Sequence, residues 1–389
     1  MRDGWVNYKF KDVATAVKGK LPKSKNEDGI GIPYLTASYL RSSQPDYWIE
    51  NLEGAVTAED GDCLILWDGA GAGDLFSGRH GVVSSTMAVV TTQNSKILRE
   101  FLTLFISSKA DYIKETCRGT TVPHVSPDAI ANMELKIPTL LEQKRIVDFI
   151  SSVDSYIKAL LKQLKSAKES RNAVLHELLN ADGENWVETS LGEIAEVIGG
   201  GTPSTTNPEY WDGHILWLTP TEITSQDGQV VSDSIRKISD SGYKNSGAQM
   251  LPVDSVILTS RASVGFVALA GKELCTNQGF QSLIPKPSVL SKFLMFWIQL
   301  NRPEFESRSA GSTFKEISKS NVKSIKLELP PLSEQKRIVE IISTIDEVIF
   351  QTTLTTSKAQ DLRYSLLNDL LSGEHEIPAS YDKVIGAAG

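Results

Sequence analysis

The hexapeptide Glu142-Gln143-Lys144-Arg145-Ile146-Val147 occurs a second time, letter for letter, as Glu334-Gln335-Lys336-Arg337-Ile338-Val339, 192 residues later. Each copy lies shortly after a proline, Pro138 or Pro330, and opens a long stretch of helical pattern. A chain that repeats itself at about half of its length predicts a pseudo-twofold protein. That geometry fits a partner with its own approximate twofold, such as duplex DNA.

Both copies continue into a heptad pattern, in which steps of four and three residues alternate. The first set of heptad positions comprises Ile146, Ile150, Val153, Ile157, Leu160, Leu164, Ala167, Arg171, Val174 and Leu178. The second set, in the same register, comprises Ile338, Ile342, Ile345, Ile349, Thr352, Thr356, Ala359, Arg363, Leu366 and Leu370. Gly183 and Gly373 follow the two sets and mark where helices stop. We expect two helices of roughly 39 residues, about 58 Å long, with looser packing around Thr352 and Thr356.

The heptad faces allow two kinds of pairing. They can join different chains in a dimerisation coiled coil, or the two faces of one chain can pair with each other. We expect the second arrangement, an antiparallel intramolecular coiled coil with one globular domain at each end. The intermolecular coiled coil remains the alternative.

The regions that precede the two helices match each other more loosely. Trp5-Val6 parallels Trp186-Val187, and the strand-like run of residues 61–66 parallels residues 253–258. The offset between matching segments grows from 181 to 192 residues, so loops of different length separate shared core strands. We expect an α+β fold in which two mixed α/β domains are joined by two long helices. Different loops on a duplicated scaffold suggest two sites that recognise different things.

The bulk composition is that of an ordinary globular protein. The chain has 389 residues, enough for two or three domains, and is 40% hydrophobic and 23% charged. No apolar run reaches the roughly 18 residues that a membrane span needs, and the N-terminal residues lack the apolar core of a signal peptide. The net charge of −8 argues mildly against nucleic acid as a partner, although local charge decides binding.

Three cysteines, Cys63, Cys117 and Cys275, form an odd number without metal-type spacing. Such a set predicts reduced thiols in a cytoplasmic protein.

Two segments imitate enzyme motifs without completing them. Residues 207–210, Asn-Pro-Glu-Tyr, resemble the Asn-Pro-Pro-Tyr element of amino-methyltransferases but lack its second proline. The glycine-rich run of residues 69–74 lacks the terminal Lys-Ser/Thr of a phosphate-binding loop and favours a tight turn instead. The five histidines are scattered. The sequence therefore predicts no catalytic residues, no cofactor and no metal site.

Several motifs together resemble the specificity subunit of a type I restriction-modification system. They are the two proline-preceded Glu-Gln-Lys-Arg-Ile-Val helix starts, Trp67-Asp68-Gly69-Ala70, Ser260-Arg261-Ala262-Ser263-Val264-Gly265, and Gly199-Gly200-Gly201-Thr202-Pro203-Ser204 leading to Asn207-Pro208-Glu209-Tyr210-Trp211. The resemblance runs from Trp5 to about Leu371. No single motif is decisive, but their order and duplication are specific together.

The resemblance implies a non-catalytic subunit that recognises DNA. Its domains would be a first target-recognition domain (1–138), a first helical spacer (139–181), a second target-recognition domain (182–330), a second helical spacer (331–373) and a C-terminal tail (374–389). Each recognition domain would read one half of a bipartite site in double-stranded DNA. The implied partners are modification (methyltransferase) subunits, two of them, and restriction (translocase-nuclease) subunits. A modification-only or fused type II system is the alternative within the same fold. A duplicated enzyme and a structural adaptor are alternatives of other classes.

Candidate DNA contacts lie in polar or basic loops of both domains. In the first domain they are Lys18, Lys20, Lys23, Lys25, Thr36, Arg79, His80, Arg118, Thr120, Thr121 and His124. In the second they are Thr202, Ser204, Thr219, Thr221, Ser260, Arg261, Ser263, Ser312, Thr313 and Lys315. Lysines and hydroxyls suit phosphates, and an arginine can take guanine O6 and N7 together. Arg261 could equally pin a loop through an internal carboxylate.

Overall fold

The computed structural model describes residues 4–119, 121–180, 185–310 and 315–381. The chain divides into two compact units. Unit 1 comprises Met1–Leu161 and Leu354–Gly389, and unit 2 comprises Lys162–Thr353. We call the part of unit 1 that precedes the first long helix the first domain, and the part of unit 2 between the two long helices the second domain.

The first domain mixes short strands and short helices. Its strands are β1 (Val6–Lys9), β2 (Ala14–Lys18), β3 (Ile32–Leu35), β4 (Trp48–Ile49), β5 (Thr57–Ala58), β6 (Cys63–Leu66), β7 (Leu75–Ser77), β8 (Gly81–Val83), β9 (Met87–Thr92) and β10 (Glu134–Ile137). Its helices are α1 (Phe10–Val13), α2 (Ala37–Ser42), α3 (Arg99–Ser108), α4 (Ala110–Glu115) and α5 (Pro127–Ala131). The first long helix, α6 (Leu140–Leu179), follows.

The second domain has the same kind of composition. Its strands are β11 (Val187–Ser190), β12 (Ala195–Gly199), β13 (Trp211–Leu218), β14 (Val230–Val231), β15 (Arg236–Ile238), β16 (Val256–Leu258), β17 (Val267–Ala270), β18 (Cys275–Thr276), β19 (Gln281–Pro285) and β20 (Lys326–Leu329). Its helices are α7 (Leu191–Ile194), α8 (Pro220–Thr224), α9 (Asp240–Lys244), α10 (Ser291–Leu300), α11 (Arg302–Ser307) and α12 (Lys319–Ser324), and the second long helix is α13 (Leu332–Ser372). Short 3-10 turns occupy Pro208–Tyr210 and Ala379–Tyr381.

The described strands form matching sheets in the two domains. In the first domain the sheets have the orders β1-β10, β2-β9-β6-β7 and β4-β3-β8-β5. In the second domain the orders are β11-β20, β12-β19-β16-β17-β14 and β15-β13-β18. The strands β2, β9, β6 and β7 therefore correspond to β12, β19, β16 and β17. The predicted fold class is confirmed, with mixed α/β domains and long helices that pack against each other.

The structure corrects the sequence match between β6 and β16 by one residue. Cys63 lies opposite Val90 in the first domain, and Val256 lies opposite Leu283 in the second. With β9 and β19 aligned through their outer partners β2 and β12, Cys63 corresponds to Val256 and not to Ser255. From this strand into the following turn, equivalent residues are 193 positions apart in the sequence rather than 192.

The turn residue two positions before each of these strands explains the wrong match. Gly61 and Asp254 both have left-handed backbones, with φ of 83° and 65°, so they occupy equivalent places in the turn. The sequence match had instead paired Asp254 with Asp62, because the letters are identical. The geometry of a turn, and not the identity of a side chain, defines the register here.

In unit 1 the beginning of α6 packs against the end of α13. Ile146 and Ile150 share a buried cluster with Leu367 and Leu370, and further along α6 Ile157 and Leu160 pack with Ala359. Residue numbers rise along one helix as they fall along the other, so the segments are antiparallel. Heptad periodicity favours this packing because it places apolar side chains on one face.

Unit 2 repeats the arrangement with the other two helix halves. Leu175 and Leu179 of α6 share a buried cluster with Ile338 and Ile342 of α13. The helices have 40 and 41 residues, close to the predicted length. The expected intramolecular antiparallel pairing is confirmed within each unit. Gly373 ends α13 with a φ of 77°, whereas Gly183 lies outside the described residues.

The repeated glutamine attaches each helix to its domain. Gln143 is fully buried, and its amide nitrogen donates to the carbonyl oxygens of Lys96 and Pro138 while its oxygen accepts from the Leu98 amide, at 2.8 to 2.9 Å. Buried polar groups are costly unless bonded, so this side chain fixes the start of α6.

Gln335 makes the equivalent bonds in unit 2. It is also fully buried, and it bonds the carbonyl oxygens of Ser288 and Pro330 and the Leu290 amide, at 2.8 to 3.0 Å. The letter-for-letter repeat therefore has a structural cause within each unit.

The described part of the C-terminal tail, residues 374–381, packs on unit 1. Ile377 is buried in the core cluster of that unit, and the ring of Tyr381 meets Phe149 edge-on at 5.3 Å. Lys136 donates to the carbonyl oxygen of Ser372 at 3.2 Å. This segment extends the core of unit 1 beyond the end of α13.

None of the described helices combines the length and apolarity that crossing a bilayer requires. Cys63, Cys117 and Cys275 are free thiols. Burial, with a smaller contribution from Asp62, raises the pKa of Cys63 to about 12, and burial alone raises the pKa of Cys275 to about 12.

Candidate nucleic-acid interface

A turn at the end of β6 meets a loop that follows α4. We call residues 67–70 the strand-end turn of the first domain and residues 118–124 its facing loop. The Gly69 amide donates to the Pro123 carbonyl at 2.9 Å, and the Val125 amide donates to the Trp67 carbonyl at 2.9 Å. Arg118 and His124 bond each other through their backbones at 2.8 and 2.9 Å, which closes the facing loop.

The second domain builds the same pair after β16 and α11. Its strand-end turn is residues 260–263 and its facing loop is residues 310–316, of which 311–314 lie outside the described residues. The Ala262 amide donates to the Lys315 carbonyl at 3.1 Å, and the Ile317 amide donates to the Ser260 carbonyl at 3.0 Å. Ala310 and Glu316 bond each other through their backbones at 2.9 Å.

Each turn carries a charged residue in an ion pair. In the first domain Lys18 Nζ lies 2.5 Å from an Asp68 carboxylate oxygen. In the second domain Arg261 Nε lies 2.8 Å from Oε1 of Glu316. The carboxylate partner that the sequence left open for Arg261 is present. The Arg261 side chain nevertheless keeps 46% of its surface exposed, so solvent or a ligand can reach it.

The remaining lysines of the basic loop have weaker partners. Lys23 Nζ is 3.5 Å from Glu53, and both side chains are about four-fifths exposed. Lys25 Nζ lies 3.4 Å from the centre of the Tyr47 ring. Lys20 and Lys23 line a surface cavity of about 240 Å³. Exposed pairs of this kind contribute little stability, so these ammonium groups remain accessible to phosphates.

Arg79, His80 and Thr36 have partners inside the first domain. Arg79 donates to the Ser43 hydroxyl at 2.8 Å, and His80 Nδ1 is 2.9 Å from Glu59. Thr36 caps α2, because its hydroxyl oxygen accepts from the Tyr39 amide at 3.1 Å. Threonine is a favoured N-cap residue. The Thr36 side chain thus has a structural role that its sequence position did not reveal.

The glycine-rich segment of the second domain lies against the end of β18. The Trp217 indole donates to the Gly201 carbonyl at 2.9 Å. Thr202 donates to the Gln278 side chain, and Ser204 and Thr206 hydroxyls are 2.8 Å apart. The structure therefore brings the predicted contact Thr202 together with Gln278.

Thr219 and Thr221 border a surface cavity of about 550 Å³. Thr219 caps α8, and its hydroxyl donates to the carboxylate of Glu222 at 2.8 Å. Glu222 is buried and also accepts from the Ile235 amide at 2.8 Å. Thr221 is exposed at the rim. Of the two threonines, Thr221 has the accessible side chain.

Other predicted contacts differ in accessibility. Ser260 is fully buried, so direct contact with DNA would require local movement, whereas Ser263 is half-buried. Thr121, His124 and Lys315 are exposed. Thr120, Ser312 and Thr313 lie outside the described residues.

The glycine-rich run after Asp68 is a tight loop, as predicted. Gly69, Gly71 and Gly73 all have positive φ, between 89° and 104°. Asp74 ends the loop and binds Lys114 at 2.9 Å and Arg41 at 2.7 Å. The hydrogen bond from Lys114 and then that from Arg41 lower the pKa of the Asp74 carboxyl. The loop is thus anchored at its end by an ionised carboxylate.

Asp68 and Glu316 were not among the predicted contacts. In the sequence, Asp68 stands out only as part of the Trp67-Asp68-Gly69-Ala70 motif. In the described part of the chain, no group of three or more His, Cys, Asp or Glu side chains could hold a metal ion.

The sequence matches one protein family along both of its halves. The family model for the type I restriction modification DNA specificity domain matches residues 2–168 and again residues 183–360. Among curated relatives from Methanocaldococcus jannaschii, the MjaIX specificity subunit is 36% identical over 168 residues, which are 43% of this chain and only 39% of that relative. The MjaVIII specificity subunit is 23% identical over 404 residues, 96% of this chain and 93% of the relative.

Solved structures share the fold. The type I restriction-modification S subunit from M. genitalium superposes with a TM-score of 0.58 at 15% identity, over 94% of this chain and 96% of that one. A second solved chain comes from a type I restriction-modification structure described for its complex assembly and conformational transition. It superposes with a TM-score of 0.63 at 18% identity, over 95% of this chain and 98% of that one. At these identities the likeness concerns the fold alone.

Proposed function

The chain belongs to the family of type I restriction-modification DNA specificity subunits, and from this premise we propose that each of its domains reads one half of a bipartite DNA site. The long helices set the distance between the half-sites and bind the modification subunits. Restriction subunits join the same assembly in the cytoplasm. The observation that carries the proposal is the repetition of one turn-and-loop scaffold with different charged residues in the two domains.

Differences between the two strand-end turns support two different half-sites. The first turn carries Asp68 and the second carries Arg261, on equivalent backbones. Carboxylates and guanidinium groups have opposite hydrogen-bonding capacity at the edges of bases. A scaffold that served only for phosphate binding would not need residues of opposite charge at the same place.

Basic side chains of the first domain support a phosphate-binding role. Lys20, Lys23 and Lys25 are exposed in one loop. Lys23 pairs with the exposed carboxylate of Glu53, and Lys25 lies over the Tyr47 ring. Lysines that neutralise phosphates release counterions, which makes affinity fall with salt. The acidic net charge of the chain is compatible with this, because the binding face sees the local charge.

Rigid attachment of each domain to its helices supports the spacing role. Gln143 in unit 1 and Gln335 in unit 2 are fully buried and hold the helix starts by three hydrogen bonds each. Because α6 and α13 each contribute to both units, their length is suited to fix the separation of two major-groove segments about one helical turn, roughly 34–36 Å, apart.

Exposed apolar residues on the helices support the binding of protein partners. On α6 they are Leu140, Leu141, Tyr156 and Leu161, and on α13 they are Leu332, Val348, Phe350, Leu354, Leu362 and Tyr364. Leu332 and Val348 lie 192 positions after Leu140 and Tyr156, so they are their counterparts in the repeat. Exposed apolar surface is a common feature of interaction sites. Its presence at two pairs of repeat-related positions suits the binding of two modification subunits.

Exchange of one domain tests the proposal. Residues 1–138 are replaced by the matching region of a relative with a different target, and the motif methylated by the complete modification complex is sequenced. We expect one half-site to change while the other half-site and the spacer stay the same. The reciprocal exchange of residues 182–330 is the matched control and should change the other half. A change in both halves after either exchange would contradict the assignment of one domain to one half-site.

A gel-shift series separates the other classes of function. At a fixed salt concentration, the chain with its methyltransferase partner should shift duplexes that contain the motif more strongly than scrambled duplexes. An adaptor would give no sequence-dependent shift, and an enzyme would consume cofactor without the partner.

A further inference from the structure

We propose that Asp68 and Arg261 are equivalent base-reading residues with opposite hydrogen-bonding roles. Where the half-site of the second domain presents guanine, the half-site of the first domain presents a base with an exocyclic amino group in the major groove, cytosine or adenine. The inference rests on the proposed reading of one half-site by each domain.

The equivalence of the two residues follows from backbone bonds. Trp67 and Ser260 donate to the carbonyl oxygens of Thr86 and Gly279, both at 2.7 Å. Both residues also accept, through their own carbonyl oxygens, an amide from the residue just after the facing loop. Asp68 and Arg261 are the next residues in the chain, so they hold the same place in the scaffold.

The residue after each of them has the same unusual backbone. Gly69 and Ala262 have φ of 104° and 60°, in the left-handed region that glycine adopts most easily. Each of them donates its amide to the facing loop, to the carbonyl of Pro123 or Lys315. A Cβ atom added at Gly69 would meet nothing within 4 Å, so the turn beside Asp68 is open on that side.

The chemistry of the two side chains is complementary to different bases. An ionised carboxylate only accepts hydrogen bonds, and in the major groove cytosine N4 and adenine N6 are the amino donors. A guanidinium only donates, and guanine O6 and N7 accept from it together. The two equivalent positions therefore select bases of opposite polarity.

Each of the two residues has an internal partner of opposite charge. Asp68 pairs with Lys18, the last residue of β2, and Arg261 pairs with Glu316 of the facing loop. The last residue of β12, the counterpart of β2, is Gly199, so the second domain has no lysine at the place where it would repel Arg261. The partner has changed together with the charge that it neutralises.

These ion pairs leave room for an exchange of partners. The Lys18 and Asp68 side chains are 46% and 29% exposed, and those of Arg261 and Glu316 are 46% and 43% exposed. Pairs at this exposure are worth little. When DNA binds, Lys18 can move to a phosphate and Asp68 to a base amino group, whereas Arg261 leaves Glu316 for guanine.

The test compares base preferences of variants in the complete modification complex. Binding to a library of duplexes that vary one position at a time is measured at fixed salt for Asp68→Ala, Arg261→Gln and the exposed α4 control Glu115→Gln. We expect Asp68→Ala, which removes the acceptor, to change preference about tenfold at one position of one half-site, and Arg261→Gln to do so at one position of the other. The control should keep the original motif. Duplexes with cytosine or adenine at the affected position show whether Asp68 accepts a hydrogen bond from cytosine N4 or from adenine N6.

Lys18→Gln separates base reading from a structural role of the ion pair. It should weaken binding to all duplexes to a similar degree and keep the preferred bases, because Asp68 remains. If Lys18→Gln and Asp68→Ala gave the same change, or if Asp68→Ala weakened all duplexes equally with an unchanged thermal unfolding midpoint, the base-reading role would be refuted. A complex whose unaltered form showed no sequence preference would refute the proposed function as well.

Discussion

Arg363 forms a two-point ion pair with Asp154, in which Nη2 lies 3.0 Å from Oδ2 and Nε binds Oδ1. The pair joins α13 to α6 in unit 1. Arg171 and Asp346 form the same pair in unit 2, with Nη2 3.2 Å from Oδ2. Each of these four residues has its counterpart 192 positions away in the chain. The heptad arginines, which interrupt two apolar faces, therefore fix the antiparallel register of the helices within each unit.

Removing the arginine should destabilise unit 2 more than unit 1. The Arg171 side chain is 13% exposed, also binds Gln299 at 3.2 Å and lies 5.2 Å from the centre of the Phe296 ring, whereas that of Arg363 is 27% exposed. We expect a loss of about 2 kcal/mol for Arg171→Ala and about 1 kcal/mol for Arg363→Ala. Denaturant unfolding of each variant measures the loss.

Exchanging the two charges within a pair provides the control. The double variant Asp154→Arg with Arg363→Asp should recover part of the stability that either single change removes, because opposite charges again face each other. A double variant that lost the sum of the two single effects would show that the pair contributes no direct coupling.

The buried glutamine should tolerate substitution poorly. Gln335→Glu replaces two donated hydrogen bonds by a carboxylate in a fully buried site, which we expect to cost about 2–3 kcal/mol. The neighbouring exposed Lys336→Gln should change stability by less than about 0.5 kcal/mol. Chemical denaturation compares the two. If the two substitutions changed the free energy of unfolding equally, the hydrogen bonds of Gln335 would not be the reason why the hexapeptide is repeated.

Much of the fold was predictable because its strongest signals are local. The heptad spacing predicted the length and the intramolecular pairing of α6 and α13, and both predictions are confirmed. The motif order predicted the family, which the two family matches confirm, and with it a recognition subunit without catalysis of its own. Local patterns sufficed because a helix depends on residues three and four positions apart.

Most details of the candidate site depend on residues far apart in the chain. Lys18 and Asp68 are 50 positions apart in the sequence, and Arg261 and Glu316 are 55 positions apart; no spacing rule predicts such pairs. The correspondence of Asp68 and Arg261 was hidden by a one-residue shift at a turn. Thr36 and Thr219 were chosen for their hydroxyls, which also cap helices. The predicted contacts with DNA remain predictions.

The anchor of the glycine-rich loop should make unit 1 sensitive to pH. Because Lys114 and Arg41 lower the pKa of Asp74 in the folded state, its stabilising effect is present above the ordinary aspartate pKa of about 3.9 and disappears as the pH falls through the lowered value. Asp74→Asn should therefore reduce stability at neutral pH and have a shrinking effect in acid. Urea unfolding over a pH series measures the difference, and an effect that grew on acidification would contradict this sign.

The two buried cysteines should report on the units separately. Cys63 lies in unit 1 and Cys275 in unit 2, and burial is the main cause that raises the pKa of each thiol to about 12. Since only thiolates react quickly, alkylation of both should be slow in the folded chain and should accelerate when the unit opens. Mass spectrometry after pulses of alkylating reagent at increasing denaturant measures both rates. Rapid labelling of Cys63 or Cys275 without denaturant would contradict their burial.

The segment after α13 should stabilise unit 1 in particular. Ile377 is 6% exposed within the core cluster of that unit, beside a cavity of about 230 Å³ that Phe149 and Tyr381 also line. Ile377→Ala enlarges the apolar cavity and should cost about 2–4 kcal/mol, whereas exposed Glu374→Ala should cost little. Pulsed alkylation should then show Cys63 exposed at lower denaturant concentration while Cys275 keeps its original midpoint. If both cysteines shifted together, the segment would stabilise the whole chain; if neither shifted, its packing would contribute nothing to the core of unit 1.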